Sequence, residues 1–451
     1  MAMRFACIHN IKGIPVLART IDNENLHIPV IYLFSMMDAD GLENQGFVVV
    51  AGDNCVSPIL AYSRKNSLTG CNGSGYSPAF DSWLVMRGDE IAYGQNNSLT
   101  ASEAVVKQWG ELLSPDYKGS PAKDEPDYLL TTTWNQSWPY NKYCPVIDGN
   151  TAPVGCVATA LSQILRYWKH PAQGQGSTSY MCGACMDRIT MDFSEVNYNF
   201  DSMPDMLYFY SPTGMVEATA TLCYHAGVSV WMQYTSGSSG VGMSNVGSFC
   251  RRALVNHFKY DTTVRYLYRA EYGDDEWIDI ISNEIRAGRP VLYCGYDNTS
   301  TGVDAGHAFV IDGYDETDGF VHVNWGWGSG GDGWFDLYNN QLFVFNYRFT
   351  SMHVAIVGIQ PAPERDPENI DYPFSGINTP FKIYPNPATS TIHISALPSG
   401  QASKVCIRSA TGQTLREQLI GGDIAIDVSD YPAGIYFCTI DGHTAKFTVL
   451  K

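Results

Sequence analysis

The chain has 451 residues, 45% of them apolar and 13% aromatic, enough for about three globular domains with sizeable cores. Charged residues are only 16%, yet the net charge is −18, an acidic field that argues against nucleic acid or an anionic membrane as partner. No run of about eighteen apolar residues occurs, so no stretch reads as a membrane-spanning helix.

The chain starts MAMRFACIHNIKGIPVLA, which lacks a long apolar h-region and does not read as a signal peptide. Residues 1–122 form the first unit. Ile28–Met36, Gly46–Gly52 and Ile59–Ser63 are β-rich runs flanked by turn residues. Phe80, Trp83, Leu84 and Ile91 make a short helical stripe. The stretch Ser114–Tyr128 carries three prolines, several charges and almost no large apolar side chains. It reads as an exposed linker of the kind that proteases nick.

The second unit spans residues 123–361. Val157, Ala160, Leu161, Ile164, Leu165 and Trp168 fall on one stripe, so the segment from about Cys156 reads as a core-facing helix that Pro171 stops. Further helices are expected at Met215–Ala226, at Ser244–Phe258 and from Asp274 to Gly288, with a β-run from Pro290. Helices gather in the first half of this unit and strands in the second. Cys182 and Cys185 form a lone C-x-x-C with no second pair at zinc spacing. A local disulfide or two free thiols is the expectation, and no metal or other cofactor is called for. The glycines at 326, 328, 330 and 331 do not open a helix after a strand, so they are not a dinucleotide site. His225, His257 and His322 read as solvated or satisfied histidines. Asp312 and Asp315 follow His307 and either could feel it electrostatically, with a turn role in GYDETDG the stronger reading for Asp315.

A proline-rich, charged linker covers 362–378, and 379–451 is the third unit. Its short alternating strands, with Asn-Pro and Ala-Gly turns, read as a small β-sandwich.

The chemistry centres on two positions. Cys156 begins the core helix, where the positive end of the macrodipole favours a thiolate; position alone also fits a buried helical cysteine. His307 sits between a glycine and a β-run, at a strand start. A thiolate nucleophile needs an imidazole in hydrogen-bond reach, and the imidazole needs a group that fixes its tautomer. In papain-like enzymes such a pair lies roughly 150 residues apart in sequence.

GCVATALSQILRYWKHP (155–171), AGHAFVIDGYD (305–315), HVNWGWGSGGDGWF (322–335), WNQSWPYNKYCP (134–145) and the TSGSSG run (235–240) together resemble the streptopain family of secreted cysteine proteases, in order and spacing. The resemblance covers roughly residues 127–360. It implies an α+β, papain-like two-lobe peptidase with Cys156 as nucleophile and His307 as its base. Gln136 matches the family glutamine of the oxyanion hole. Asn324 and Trp325 match the NW pair beside the catalytic histidine, and which of them orients the imidazole is left open by the sequence. Ser236, Gly237, Ser238 and Ser239 resemble the family loop that borders the substrate cleft, with a plain flexible loop as the alternative, and Gly306 is a further substrate-binding candidate. GFVVVAGDNCVSPILAYS resembles the streptopain propeptide, itself similar to a stand-alone protease inhibitor. The first unit is then an intramolecular inhibitor held at high effective concentration. Such a family would carry a signal and one more propeptide helix ahead of this start, so a truncated or late start is expected. YPNPA, PAGIY and KFTVLK resemble the C-terminal sorting domain of type IX secretion in Gram-negative bacteria, and a carbohydrate-binding sandwich is the alternative. The expected partners are protein or peptide substrates, the chain's own propeptide and the secretion machinery, at the cell surface or outside it. The rival readings are an amidase or transglutaminase with the same Cys–His chemistry, and a surface binding protein with a dead protease domain.

Overall fold

A computed structural model describes residues 1–41, 44–69, 76–114, 127–297, 305–336, 353–363, 381–395, 403–410, 413–441 and 443–450. The expected linkers at Ser114–Tyr128 and 362–378 lie mostly outside the described residues. The chain divides into two compact units, Met1–Pro363 and Glu364–Lys451.

In the first unit, α1 (Ala2–Ile8) precedes four antiparallel strands, β1 (Ile14–Asn23), β2 (Ile28–Met37), β3 (Asn44–Ala51) and β4 (Ile59–Ser63). Two helices follow, α2 (Pro78–Asn96) and α3 (Glu103–Leu113). Ser77 caps α2 by accepting from the Phe80 amide, and Pro78 sits at the first turn, where its missing N–H costs nothing. The helical stripe read from Phe80 to Ile91 is therefore part of a longer helix.

The next segment begins with a small hairpin, β5 (Val146–Ile147) and β6 (Asn150–Thr151), and then α4 (Cys156–Trp168). A second hairpin, β7 (Ser177–Cys182) and β8 (Asp187–Asp192), is closed by a Cys182–Cys185 disulfide. After α5 (Thr213–Ser229) come the short pair β9 (Gln233–Tyr234) and β10 (Ser239–Gly240), then α6 (Met243–Asn256), β11 (Arg265–Tyr268) and α7 (Asp274–Arg286). The last strands are β12 (Val291–Asp297), β13 (Ala305–Tyr314), β14 (Val321–Asn324), β15 (Gly333–Phe335) and β16 (Val354–Val357).

One ten-stranded sheet joins the two halves in the order β1-β2-β3-β4-β15-β14-β13-β12-β16-β11. The join is β4 against β15, with Tyr62 opposite Trp334 and Ala61 opposite Phe335. Residues 1–63 thus extend the sheet of the following segment, which is why the first two sequence units form one compact body.

The central strands of the sheet are buried on both faces, and side chains alternate between them. Val291, Tyr293, Phe309, Ile311, Ala355 and Val357 join one core, with Phe80, Trp83 and Leu84 of α2 and Trp277 and Ile281 of α7. Leu292, Cys294, Ala308, Val310, Val354 and Ile356 join the opposite core, with α4, α5 and α6. Farther along that opposite face, Val48, Val50 and Tyr62 pack with Phe5 of α1 and Trp334. This two-sided burial explains near-continuous apolar runs such as GFVVVAG. The helices α4–α6 make one lobe and the sheet makes the other.

The second unit holds a three-stranded sheet, β17 (Lys382–Tyr384), β18 (Thr391–Ser395) and β21 (Ile424–Asp427), and a four-stranded sheet, β19 (Ser403–Ser409), β20 (Thr414–Ile420), β22 (Gly434–Ile440) and β23 (His443–Val449). Their inward residues, among them Ile392, Ile394, Val405, Ile407, Ile426 and Phe447, form a separate core. This is the expected β-sandwich.

Candidate active site

Cys156 is the first residue of α4, preceded by Gly155 at φ 91°. That conformation suits glycine, and the space demands it: a Cβ there would lie 2.7 Å from the Met232 side chain and 3.1 Å from the Ser239 carbonyl. The thiol is therefore delivered at the helix start, beside the β9–β10 hairpin. His307 lies near the start of β13 and is partly exposed, like Cys156. Burial pushes the Cys156 thiol up, but the His307 hydrogen bond and charge, with main-chain hydrogen bonds at Ala308 and Val157, bring it below an ordinary thiol.

Nε2 of His307 lies 3.1 Å from the Trp325 carbonyl oxygen, so one ring nitrogen is held by main chain. The Trp325 amide donates to Oδ1 of Asp332 at 2.8 Å, and its indole N–H donates to the Gly331 carbonyl at 3.2 Å. Asp332 is buried, and desolvation raises its carboxyl to about 7. Gly326, at φ 75°, brings this loop against α4: its Cβ would sit 3.2 Å from the Thr159 methyl.

The Asn324 side chain is bonded to groups other than the imidazole. Its Nδ2 donates to the Thr132 carbonyl (2.7 Å) and to Oε1 of Gln163 (3.2 Å). Its Oδ1 accepts from Nε2 of Gln163 (3.0 Å) and from the Gly326 amide (3.0 Å). Both donors and both lone pairs are spent. Of the two residues the sequence left open, it is Trp325 that meets His307, and by its backbone.

Gln136 is buried, and its carbonyl accepts from the Val154 amide at 2.9 Å, which ties the WNQ segment to the approach of α4. Ser236, Gly237, Ser238 and Ser239 lie on the β9–β10 hairpin, whose Thr235 amide donates to the Ser238 carbonyl at 2.8 Å. Gly306 is exposed, next to His307. Asp312 is a partner of His322, not of His307: the buried pair is 2.7 Å apart (Oδ1 to Nδ1). Asp315 accepts from the Thr317 amide at 2.8 Å, a turn contact. His225 is satisfied by the Tyr198 hydroxyl at 2.9 Å.

Two residues escaped the sequence reading. Asp332 stands in a glycine-rich loop, where a carboxylate reads as a turn former. Gln163 is fully buried on α4 and accepts the Trp134 amide at 3.1 Å. A polar side chain bordering the apolar stripe of a core helix was the available signal.

A helical lobe and a sheet lobe, with a helix-start thiol meeting a strand-start imidazole where they join, make a papain-like cysteine peptidase, here carrying an extra α+β unit on its sheet. Family models match in three places: the Spi protease inhibitor over residues 17–86, the peptidase C10 family over 134–335 and the secretion system C-terminal sorting domain over 382–450. Streptopain of Streptococcus pyogenes is 31% identical over 355 residues, which cover 72% of this chain and 81% of streptopain. The thiol protease/hemagglutinin PrtT of Porphyromonas gingivalis is 29% identical over 345 residues, 72% of this chain but only 37% of PrtT. The prointerpain A fragment of Prevotella intermedia superposes with a TM-score of 0.60 at 30% identity, over 78% of this chain and all of that fragment. The chain belongs to the peptidase C10 (streptopain) family of cysteine peptidases. It carries that family's inhibitory propeptide ahead of the peptidase and a sorting domain behind it, which marks it as secreted or displayed at the cell surface.

Proposed function

We propose that this protein is a secreted cysteine endopeptidase, made as a zymogen, in which Cys156 and His307 do the chemistry. The Cys156 thiolate attacks a peptide carbonyl, and the imidazolium of His307 gives its proton to the leaving amine. Water then attacks the acyl-enzyme, with His307 as base, and the thiolate is regenerated. The Gln136 side chain and the Cys156 amide hold the oxyanion, a contribution worth about 10²–10³ per donor. The Trp325 carbonyl keeps His307 oriented. The Ser236–Ser239 loop and Gly306 border the substrate cleft. Residues 1–122 act as the tethered inhibitor, 123–361 as the peptidase and 379–451 as the export module.

The observation that carries this reading is the thiol of Cys156 at the start of α4, hydrogen-bonded to His307 and brought below the ordinary thiol range. Replacing Cys156 by Ala, with titration of the wild type by a thiol-directed inhibitor, tests it. Peptide hydrolysis should vanish in Cys156→Ala while the thermal unfolding transition stays. Near-wild-type turnover in that variant would remove the nucleophile assignment.

A further inference from the structure

The segment Thr132–Trp134 leads to Gln136, yet it belongs to no strand of the sheet. Its backbone is nevertheless bonded on both edges. On one edge the Thr133 amide donates to the Asp205 carbonyl at 2.8 Å. On the other, the Thr132 carbonyl accepts from Asn324 Nδ2 at 2.7 Å and the Trp134 amide donates to Gln163 Oε1 at 3.1 Å. This is the alternation of an extended chain between two neighbours. On the second edge the neighbour is not a strand but two carboxamides, bonded to each other at 3.0 Å and 3.2 Å. Main-chain groups with fixed roles set the orientation of both amides. The Trp134 and Gly326 amides can only donate, and the Thr132 carbonyl can only accept.

Gln163 lies on α4 about two turns beyond Cys156, close to the same face. Asn324 precedes Trp325, whose carbonyl holds His307. The amide pair thus links the nucleophile helix, the histidine-bearing side and the segment that carries Gln136. We infer that Gln163 and Asn324 are positioning residues for the oxyanion donor: as a pair they stand in for a β-strand and fix the WNQ segment against the nucleophile helix. This rests on the assignment of Cys156, His307 and Gln136 above. A donor displaced by about 1 Å can cost on the order of a hundredfold in rate, so such a fixture is worth its two buried amides.

The fixture acts on the oxyanion and not on the thiolate–imidazolium pair, so the two can be read separately. The test uses the processed protease with active sites counted by titration. In Gln163→Leu and Asn324→Ala, kcat should fall about ten- to a hundredfold with KM within about threefold of wild type. Affinity for a peptide aldehyde, whose tetrahedral adduct carries the oxyanion, should fall in parallel. The pH profile of Cys156 alkylation by iodoacetamide should keep its midpoint. The swap Gln163→Asn with Asn324→Gln conserves the combined reach of the pair and should recover kcat relative to Gln163→Asn alone, which keeps the comparison open where Gln163→Leu does not fold. A shifted alkylation midpoint in Asn324→Ala would overturn the inference, because Asn324 would then act through His307. So would unchanged kcat and aldehyde affinity in Gln163→Leu, or a swap no better than Gln163→Asn. Wild type that resists inactivation by iodoacetamide would instead sink the nucleophile assignment itself.

Discussion

The carbonyl oxygen of Trp325 stands 3.1 Å from Nε2 of His307, and the amide of that same residue is held 2.8 Å from Asp332. One peptide segment therefore connects a buried carboxyl to the imidazole. Desolvation raises the Asp332 carboxyl to about 7, from an ordinary value near 3.8. A folded-state value above the unfolded one means that the native protein holds the extra proton between those two limits. Its contribution to stability is complete below about pH 4 and is lost as pH rises through about 7. Asp332→Asn keeps an oxygen for the Trp325 amide and cannot ionise. It should match wild type at pH 4 and exceed it above pH 7 by on the order of a few kcal/mol. Urea unfolding of the Cys156→Ala background at both pH values checks this, and equal stability at pH 8 would count against it.

His307 should control the nucleophile's titration. The hydrogen bond and charge of the imidazole are the leading causes that lower the Cys156 thiol against the opposing effect of burial. With His307→Ala only burial and the main-chain contacts remain, so the thiolate should form at higher pH. The midpoint of the alkylation rate against pH should move up by about one to three pH units. Peptidase activity should be lost in the same variant.

The core helix and the strand runs were legible in the sequence because two-sided burial leaves long apolar signals around Val157–Trp168, Phe47–Ala51 and Phe309–Ile311. β1 was missed, and it is an edge strand whose burial pattern is mostly exposed or half-exposed, so its alternation carries little contrast. The pairing of Asp312 with His322 depends on register: β13 and β14 run antiparallel with a bulge between Ile311 and Gly313. No spacing in the chain announces such a bulge. The bond from Gln163 to Asn324 spans 161 positions, and neither residue is chemically unusual. Cys156 and His307 were singled out through the motifs around them, since neither helix position nor strand position alone separates a nucleophile from a core cysteine.

Phe80 should matter to the proenzyme and not to the released peptidase. It is fully buried in α2, stacks on Trp83 at 5.9 Å and meets Phe335 of β15 edge-on at 5.9 Å. The Gly331 amide beside it donates to the Ser67 carbonyl at 2.9 Å, so this ring lies at the seam between the first 114 residues and the peptidase. Phe80→Ala should cost the uncut Cys156→Ala chain about 3–5 kcal/mol. It should also raise the activity of uncut wild-type chain, by loosening the inhibitor. A peptidase from which residues 1–122 have been removed should be as stable whether or not it was made with the substitution.

Activation should cut ahead of Tyr128, and the mature N-terminus should keep that residue. Tyr128 forms a bridge with Gly313 and stacks on His322 at 3.9 Å with an interplanar angle of 6°. The next two amides are bonded to one residue: Leu129 to the Asp312 carbonyl at 2.8 Å and Leu130 to Asp312 Oδ2 at 3.0 Å. Asp312 is fully buried and also holds His322 at 2.7 Å, so residues 128–130 are part of the peptidase's own packing. Proteolysis needs a backbone that can leave its partners and enter another active site, and these three residues are poor candidates. The proline-broken stretch before them has the opposite composition. Cutting there converts a tethered inhibitor into a separate molecule that dilution can remove. Purified wild type should therefore shorten with time while Cys156→Ala stays full length. N-terminal sequencing of the product should begin between Ser114 and Tyr128. A mature chain that starts beyond Leu130 would contradict the anchoring role of Asp312, and full activity in the uncut chain would remove the zymogen reading.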